Sequence, residues 1–593
     1  MRHLNIKQRI EALRNMMREE GLQAIILPST DPHLSEYVSP HWKSRQWISG
    51  FTGSAGTVVV TLKKAGLWTD SRYFLQAESQ LQGSGITLYK EKLPETPTFV
   101  EFLAKELPKG SSVGIDSEIV SFRAGSELYA ELDERGITLA SLTDPLKAIW
   151  EDRPPLPDAP VYIHDMDYAG ESAVHKIKRI REALKKQKAK ATALTALDEI
   201  AWTLNLRGSD VHCNPVIISY LLITENEIHF FVNPRKITET VDKCLREINV
   251  TVHPYEEAMD YLSYHTFKRV LLDPERTNSA IWRMIGFENI IAGPSPVARF
   301  KAVRNPVEIS GTQAAMVRDG VALVKFHMWL EQAVQQGAVT EIDIDQKLYE
   351  LRAEQELFMG KSFDTIAGYK EHGAIVHYAA TPETDKRLER KGYVLIDSGA
   401  QYLDGTTDIT RTIALGELSD EEKLDFTLVL RGHINLAMAH FPEGTCGIQL
   451  DILARDAMWK QHRNYLHGTG HGVGHFLSVH EGPQTVRMEG NMVPLCAGMV
   501  LSDEPGLYQA GSHGVRTENL MLVVPAGEGM FGSYLRFETL TLCPIDTRGI
   551  LKEMLTKEER RWLNDYHRTV YKKLSPRLNK EEQAWLKEKT KSI

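Results

Sequence analysis

Cysteine is scarce in this 593-residue chain: Cys213, Cys244, Cys446, Cys496 and Cys543 are an odd number, scattered, with no CxxC pair. That excludes a disulfide framework and reads as reduced, mostly structural thiols in a cytoplasmic protein. Long apolar runs are missing as well. None approaches the roughly 18 residues that a membrane span needs, so no membrane partner is expected. The opening stretch MRHLNIKQRIEALRNMM lacks the apolar block of a signal peptide and sets Ile and Leu at helical spacing, which predicts an amphipathic helix. Concentrated positive charge is the third absence. The net charge is -9, and runs such as KKQKAK (185–190) are answered by acids elsewhere, which excludes a nucleic-acid face.

What is present is an ordinary multidomain composition, 42% hydrophobic and 25% charged. Two proline-rich breaks, EDRPPLPDAP (151–160) and AGPSPVA (292–298), divide the chain into expected domains at 1–155, 156–300 and 301–593. The first two begin alike, from Arg9 and from Lys176: an amphipathic helix, a short apolar strand, then another helix. This predicts a distant duplication of one α/β unit. The third opens with a helical pattern from Val307 to about Val334, with Met316, Val321, Val324, Phe326 and Trp329 as its apolar stripe. From about residue 550 a helical extension is expected, with capping boxes at Thr556/Glu559 and Asn579/Glu582.

The chemistry concentrates in HGTGHGVGHFLSVHEGP (467–483), which holds four histidines. Its alternating glycines would each cost a helix about 1 kcal/mol relative to Ala, so the stretch is extended or looped. Four extended residues span roughly 13 Å, too far for His467, His471 and His475 to share an ion. At most one of the three is a ligand, and other ligands must come from elsewhere.

Two segments supply carboxylates. In GYVLIDSGAQYLDGTTDITRTIALG (392–416), pairing across an Asp404–Gly405 turn would set Asp397 near Thr412, and Ser398 and Gly399 would have to bend the strand for Asp397 to meet Asp408. In MVLSDEPGLYQAGSHGVRTENLMLVV (499–524), Glu504 and Glu518 are equidistant from Gly511, so a hairpin centred there sets them face to face. Two bare carboxylates so close repel. A cation between them resolves the conflict, and a shared proton is the weaker alternative.

The ordered set of Asp397 and Asp408, the GHGVG histidine, DEPG with Glu504, and Glu518 resembles the metallopeptidases of the methionine aminopeptidase, prolidase and aminopeptidase P superfamily. SEYVSP, GFTGSAGT, WTDSRYFLQA and TALDEIAWTLNLRGSD extend the resemblance to the long, three-domain, cytosolic Xaa-Pro aminopeptidases, from about residue 5 to beyond 570. The resemblance implies an α/β (α+β) fold: two related N-terminal α/β domains followed by a pita-bread catalytic domain, in a homodimer. It implies Asp397, Asp408, His471, Glu504 and Glu518 as metal ligands, and His377, His467, His480 and Arg516 as substrate-handling or supporting residues. Four carboxylates and one imidazole suit two Mn2+ ions better than zinc, with Co2+, Fe2+ and Zn2+ as the alternatives. On this reading a hydroxide bridging the ions attacks the scissile carbonyl, Glu504 shuttles the proton, His480 hydrogen-bonds the carbonyl oxygen, and His377 and His467 wall a proline pocket. The substrates are peptides with an Xaa-Pro amino terminus. His475 and the GYKEHGA loop (368–374) depart from the pattern; His475 is read as packing or supporting. The rival readings are a prolidase with the same ligands and a metal-free binding protein of the same fold.

Overall fold

Two apolar tetrapeptides seed two sheets. In the computed structural model, which describes residues 4–593, AIIL (Ala24–Leu27) and ATAL (Ala191–Leu194) form strands buried along their whole length. Each follows the expected amphipathic helix, Ile6–Glu19 and Ala173–Lys186, whose N-caps Asn5 and Ser172 accept hydrogen bonds from the backbone of Gln8 and His175. Met1, Arg2 and His3 of the predicted first helix lie outside the described residues.

Around each seed strand the chain builds the same six-stranded sheet. Taken in chain order, the strands lie across both sheets as fourth, third, second, first, fifth, sixth. The first strand runs antiparallel to the second and parallel to the fifth in each: Ala24 pairs with Thr61 and Val113, and Ala191 with Thr224 and Val270. Shared order and direction at every step make these the two related α/β domains that the sequence predicts.

The chain divides into two units. One runs up to His164 and adds Glu171–Ala298; the other comprises Asp165–Gly170 and Arg299–Ile593. No helix among the described residues is long and apolar enough to cross a membrane.

In the second unit the long helix Pro306–Gln336 begins at a capping box of Asn305 and Glu308 and ends at Gly337, which takes the left-handed φ of 68°. Met316, Val321, Val324 and Phe326 are buried as the stripe requires. A three-stranded sheet (Ile366–Tyr369, Tyr393–Ser398, Ile409–Ala414) and a four-stranded one containing Val500–Asp503 and Asn519–Gly529 carry the acids. The terminal helices Lys557–Leu574 and Lys580–Lys589 start at the two expected capping boxes. They bury Leu563, Val570, Leu574 and Leu586 in one apolar cluster with Val429, Leu430 and Ile434, so this segment is part of the core.

Candidate metal centre

Val500–Asp503 pairs with Asn519–Gly529, and Gly506–Gln509 pairs with His513–Arg516. Both ladders share one register, with Asp503 opposite Asn519 and Gly506 opposite Arg516. Glu504 and Glu518 therefore face each other in the interval between them, as the symmetry about Gly511 predicts.

The other hairpin corrects the sequence reading. Asp397 lies opposite Thr410, not Thr412, which pairs with Leu395. The reason is local: Tyr402 pairs with Gly405, so the turn is Leu403–Asp404 and the register moves by two residues. A two-residue slip preserves which face each side chain occupies, so Asp397 and Asp408 still point the same way. The strand breaks at Gly399 as the sequence requires, where a Cβ would lie 2.1 Å from Thr407 O.

The histidine-rich stretch is not helical; only Gly470–His471 is a strand, paired with Thr485–Val486. Glycine is required here by close approach, since a Cβ on Gly470 would lie 2.0 Å from Ser502 O. His471 donates Nδ1–H to Gly472 O at 3.0 Å, which aims Nε2 at Glu504 Oε1 (3.3 Å) and Asp408 Oδ2 (3.5 Å). One ligand atom each from Asp408, His471 and Glu518 falls within 4.8 Å of the others. The side chains of His471 and Glu504 keep 19% and 18% of their exposure, enough for a substrate to touch them.

The electrostatics fit this donor set to cations. Burial, then the neighbouring carboxylates, lifts Asp408 and Glu518 well above the usual carboxylate range. Asp397 is also raised, burial outweighing the Arg516 guanidinium beside it, and its Oδ1 is buried with no hydrogen-bond partner among the described residues. Glu504 behaves oppositely. Burial opposes its ionisation, but the hydrogen bond and charge of His471 hold it down at about 2, while His471 rises to about 9. An acid cluster of this kind resolves its repulsion by taking up protons or positive ions.

His480, His467 and Arg516 lie around it. The His480 ring meets the His471 ring edge-on at 4.2 Å. His467 donates Nδ1–H to Gly468 O, leaving Nε2 to accept from Tyr508 Oη at 2.8 Å; burial lowers its pKa to about 4, so it stays neutral. Buried Arg516 spans the site, donating to Asp397 Oδ2 (2.6 Å), Thr410 Oγ1 (3.1 Å) and Tyr508 Oη (2.8 Å). His377 is half-buried beside Tyr378, whose ring shares an apolar cluster with Tyr508. His475 stands apart: Nε2 lies 3.1 Å from Tyr168 O, and Nδ1 3.5 Å from Thr312 Oγ1.

Sequence reasoning misses several participants. Tyr508 links His467 to Arg516; Ser502 donates to Glu504 Oε1 (3.2 Å) and accepts from His471 N–H (3.0 Å); Thr410 donates to Glu518 Oε2 (2.8 Å). Period-two spacing gives a signal for Ser502 and Thr410, each two residues from an acid on the same strand face. Tyr508 has none, because its partners come from other strands.

Comparison with known proteins agrees with this geometry. Residues 310–525 match metallopeptidase family M24, residues 533–593 the C-terminal region of that peptidase, and residues 9–149 and 152–308 each match a creatinase/prolidase N-terminal domain. A probable Xaa-Pro aminopeptidase P of Laccaria bicolor is 41% identical, covering 98% of this chain and 93% of its own. An Xaa-Pro aminopeptidase of Caenorhabditis elegans is 40% identical, covering 100% and 98%. The solved structure of a C. elegans X-prolyl aminopeptidase, described as a cytosolic enzyme with a di-nuclear active site, superposes with a TM-score of 0.95 at 38% identity over 100% of both chains. On full-length similarity at this level, the chain belongs to the Xaa-Pro aminopeptidases of metallopeptidase family M24.

Proposed function

We propose that this chain is a metal-dependent exopeptidase of the cytoplasm, releasing the first residue from peptides whose second residue is proline. The observation that carries the reading is that Asp408, His471 and Glu518 bring ligand atoms within 4.8 Å of one another, with Glu504 facing Glu518 and Asp397 on the hairpin of Asp408, in a chain related end to end to Xaa-Pro aminopeptidases. Asp397, Asp408, His471, Glu504 and Glu518 would hold two divalent cations, with the oxygen-rich donor set favouring Mn2+. When bound, these supply Lewis acidity for water activation and carbonyl polarisation.

The chain's own residues do the rest. Glu504, whose Oε1 lies 3.3 Å from His471 Nε2, would accept a proton and pass it to the leaving nitrogen. His480, edge-on to His471, donates a hydrogen bond to the carbonyl oxygen as charge develops. Arg516 fixes Asp397 and, through Tyr508, His467. A peptide bond to proline has no N–H, so recognition falls to a pocket for the ring, walled by His377 and His467. The reading includes a homodimer and the domains 1–155, 156–300 and 301–593, with a helical extension from about 550; the separate six-stranded sheets support the first two.

Metal analysis of purified protein should find two divalent ions per chain, and Ala-Pro-Ala should be cut where Ala-Ala-Ala and acetylated Ala-Pro-Ala are not. Comparable rates on the first two peptides would contradict the proline pocket. Cleavage of Arg-Pro but not Arg-Pro-Pro would make the enzyme a prolidase instead.

A further inference from the structure

The loop GYKEHGA and the His377 beyond it are tied down by one residue. Glu341 opens the helix Glu341–Ala353, and its side chain is fully buried. Oε1 accepts from Tyr369 N–H at 2.8 Å and from His372 Nδ1 at 2.9 Å; Oε2 accepts from Tyr378 Oη at 3.0 Å and Lys386 N–H at 3.1 Å. Burying a carboxylate costs several kcal/mol unless its oxygens are matched, and here four donors share the two oxygens, His372 Nδ1 lying 3.0 Å from Oε2 as well. These donors bracket His377 in sequence: two precede it and two follow.

The consequences reach the site by contact. The Tyr378 ring packs with Ile366, Leu395 and Tyr508, and Tyr508 Oη holds both His467 and Arg516. Ile366 pairs with Asp397. The loop also presses on the strand that carries Arg516, where a Cβ on Gly514 would lie 1.7 Å from Gly373 O. A shift of the bracketed segment therefore displaces His377 and Tyr508 together.

We infer that Glu341 is a positioning residue for proline specificity: its buried carboxylate clamps the segment 369–386 so that His377 and Tyr508 hold the shape of the prolyl pocket. The inference rests on the role proposed above for His377.

The test is a double-mutant cycle on metal-loaded enzyme with Ala-Pro-Ala. Glu341→Gln keeps the size but turns an amide NH2 toward donors. It should lower kcat/KM about tenfold, mainly through KM, with metal content unchanged. In the His377→Ala background the same change should cost clearly less than in the wild type, because the part of its effect that passes through His377 is already lost and only the part through Tyr508 remains. Equal losses in both backgrounds mean a merely structural role and overturn the inference, as does an unchanged kcat/KM in the single variant. If His377→Ala alone leaves kcat/KM intact, the pocket reading of His377 fails, and the inference falls with it for that separate reason. Should Glu341→Gln not fold, Tyr378→Phe removes one of the donors, and the same cycle run with that variant supports or overturns the inference by the same outcomes.

Discussion

Two hairpins bring acids to one place by different means. Glu504 and Glu518 face each other between two ladders in continuous register, whereas Asp397 and Asp408 lie diagonally across a strand broken at Gly399. The division of labour is nevertheless the same in both. Each hairpin has one acid with a strong donor, His471 for Glu504 and Arg516 for Asp397. Each has one without, and Glu518 and Asp408 are the pair lifted furthest, by burial and by their neighbours' charge. Burial and donor compete at each acid: His471 wins at Glu504, whereas at Asp397 burial outweighs Arg516.

The largest test removes the donor-held acid. Glu504→Ala should lower Xaa-Pro cleavage by at least about a thousandfold with the circular-dichroism spectrum preserved, since proton transfer alone contributes roughly 10²–10⁴. A tenth of wild-type turnover would sink the assignment.

Separating binding from turnover comes next. His471→Ala should lower metal content by elemental analysis, whereas His467→Ala and His480→Ala should keep the metal and lose roughly ten- to a hundredfold in turnover. His475→Ala should be mild. Equal sensitivity of His475 and His471 would overturn the roles assigned within the histidine-rich stretch.

The hydroxyls beside the glutamates sharpen the comparison. Ser502→Ala should cost roughly fivefold in kcat, a single hydrogen bond's worth, through Glu504. Thr410→Val, acting on the acid without a strong donor, should weaken Mn2+ binding more than kcat. The same effect from both changes would erase the distinction between the two glutamates.

The smallest effect concerns acid stability at a distance. His567 Nε2 accepts from Ile545 N–H at 3.1 Å, and burial, then nearby Arg411, lowers its pKa to about 4. The folded chain thus resists a proton that the unfolded chain takes up below about 6.5. Stability is full above that pH and falls by on the order of 1–3 kcal/mol as pH drops toward 4. Between pH 7.5 and 5 the urea midpoint should fall further in wild type than in His567→Gln, which lacks the titration; equal falls would refute it.

What sequence conveys is local or symmetric. Capping boxes at Thr556 and Asn579 need only four residues, and the Glu504–Glu518 pairing follows from distances to one glycine. The Asp397 register escapes such reasoning because Asp404–Gly405 is a turn signal that the chain satisfies one residue earlier. The ligand roles come from resemblance, since no spacing rule ties His471 to Asp408. Tyr508 reaching His467, Arg516 reaching Asp397 and Glu341 reaching Tyr378 act across distant parts of the chain, and no short window of sequence contains such a contact.

Tyr566 closes the structure from its far end. It accepts from Arg411 Nη2 at 2.9 Å across 155 residues, and Arg411 in turn grips the Glu518 carbonyl at 2.7 Å. During synthesis the two N-terminal sheets emerge and fold while this linkage has no second half. A chain that stops before Tyr566 lacks this hydroxyl, and the guanidinium beneath the Glu518 carbonyl then loses one of its buried partners.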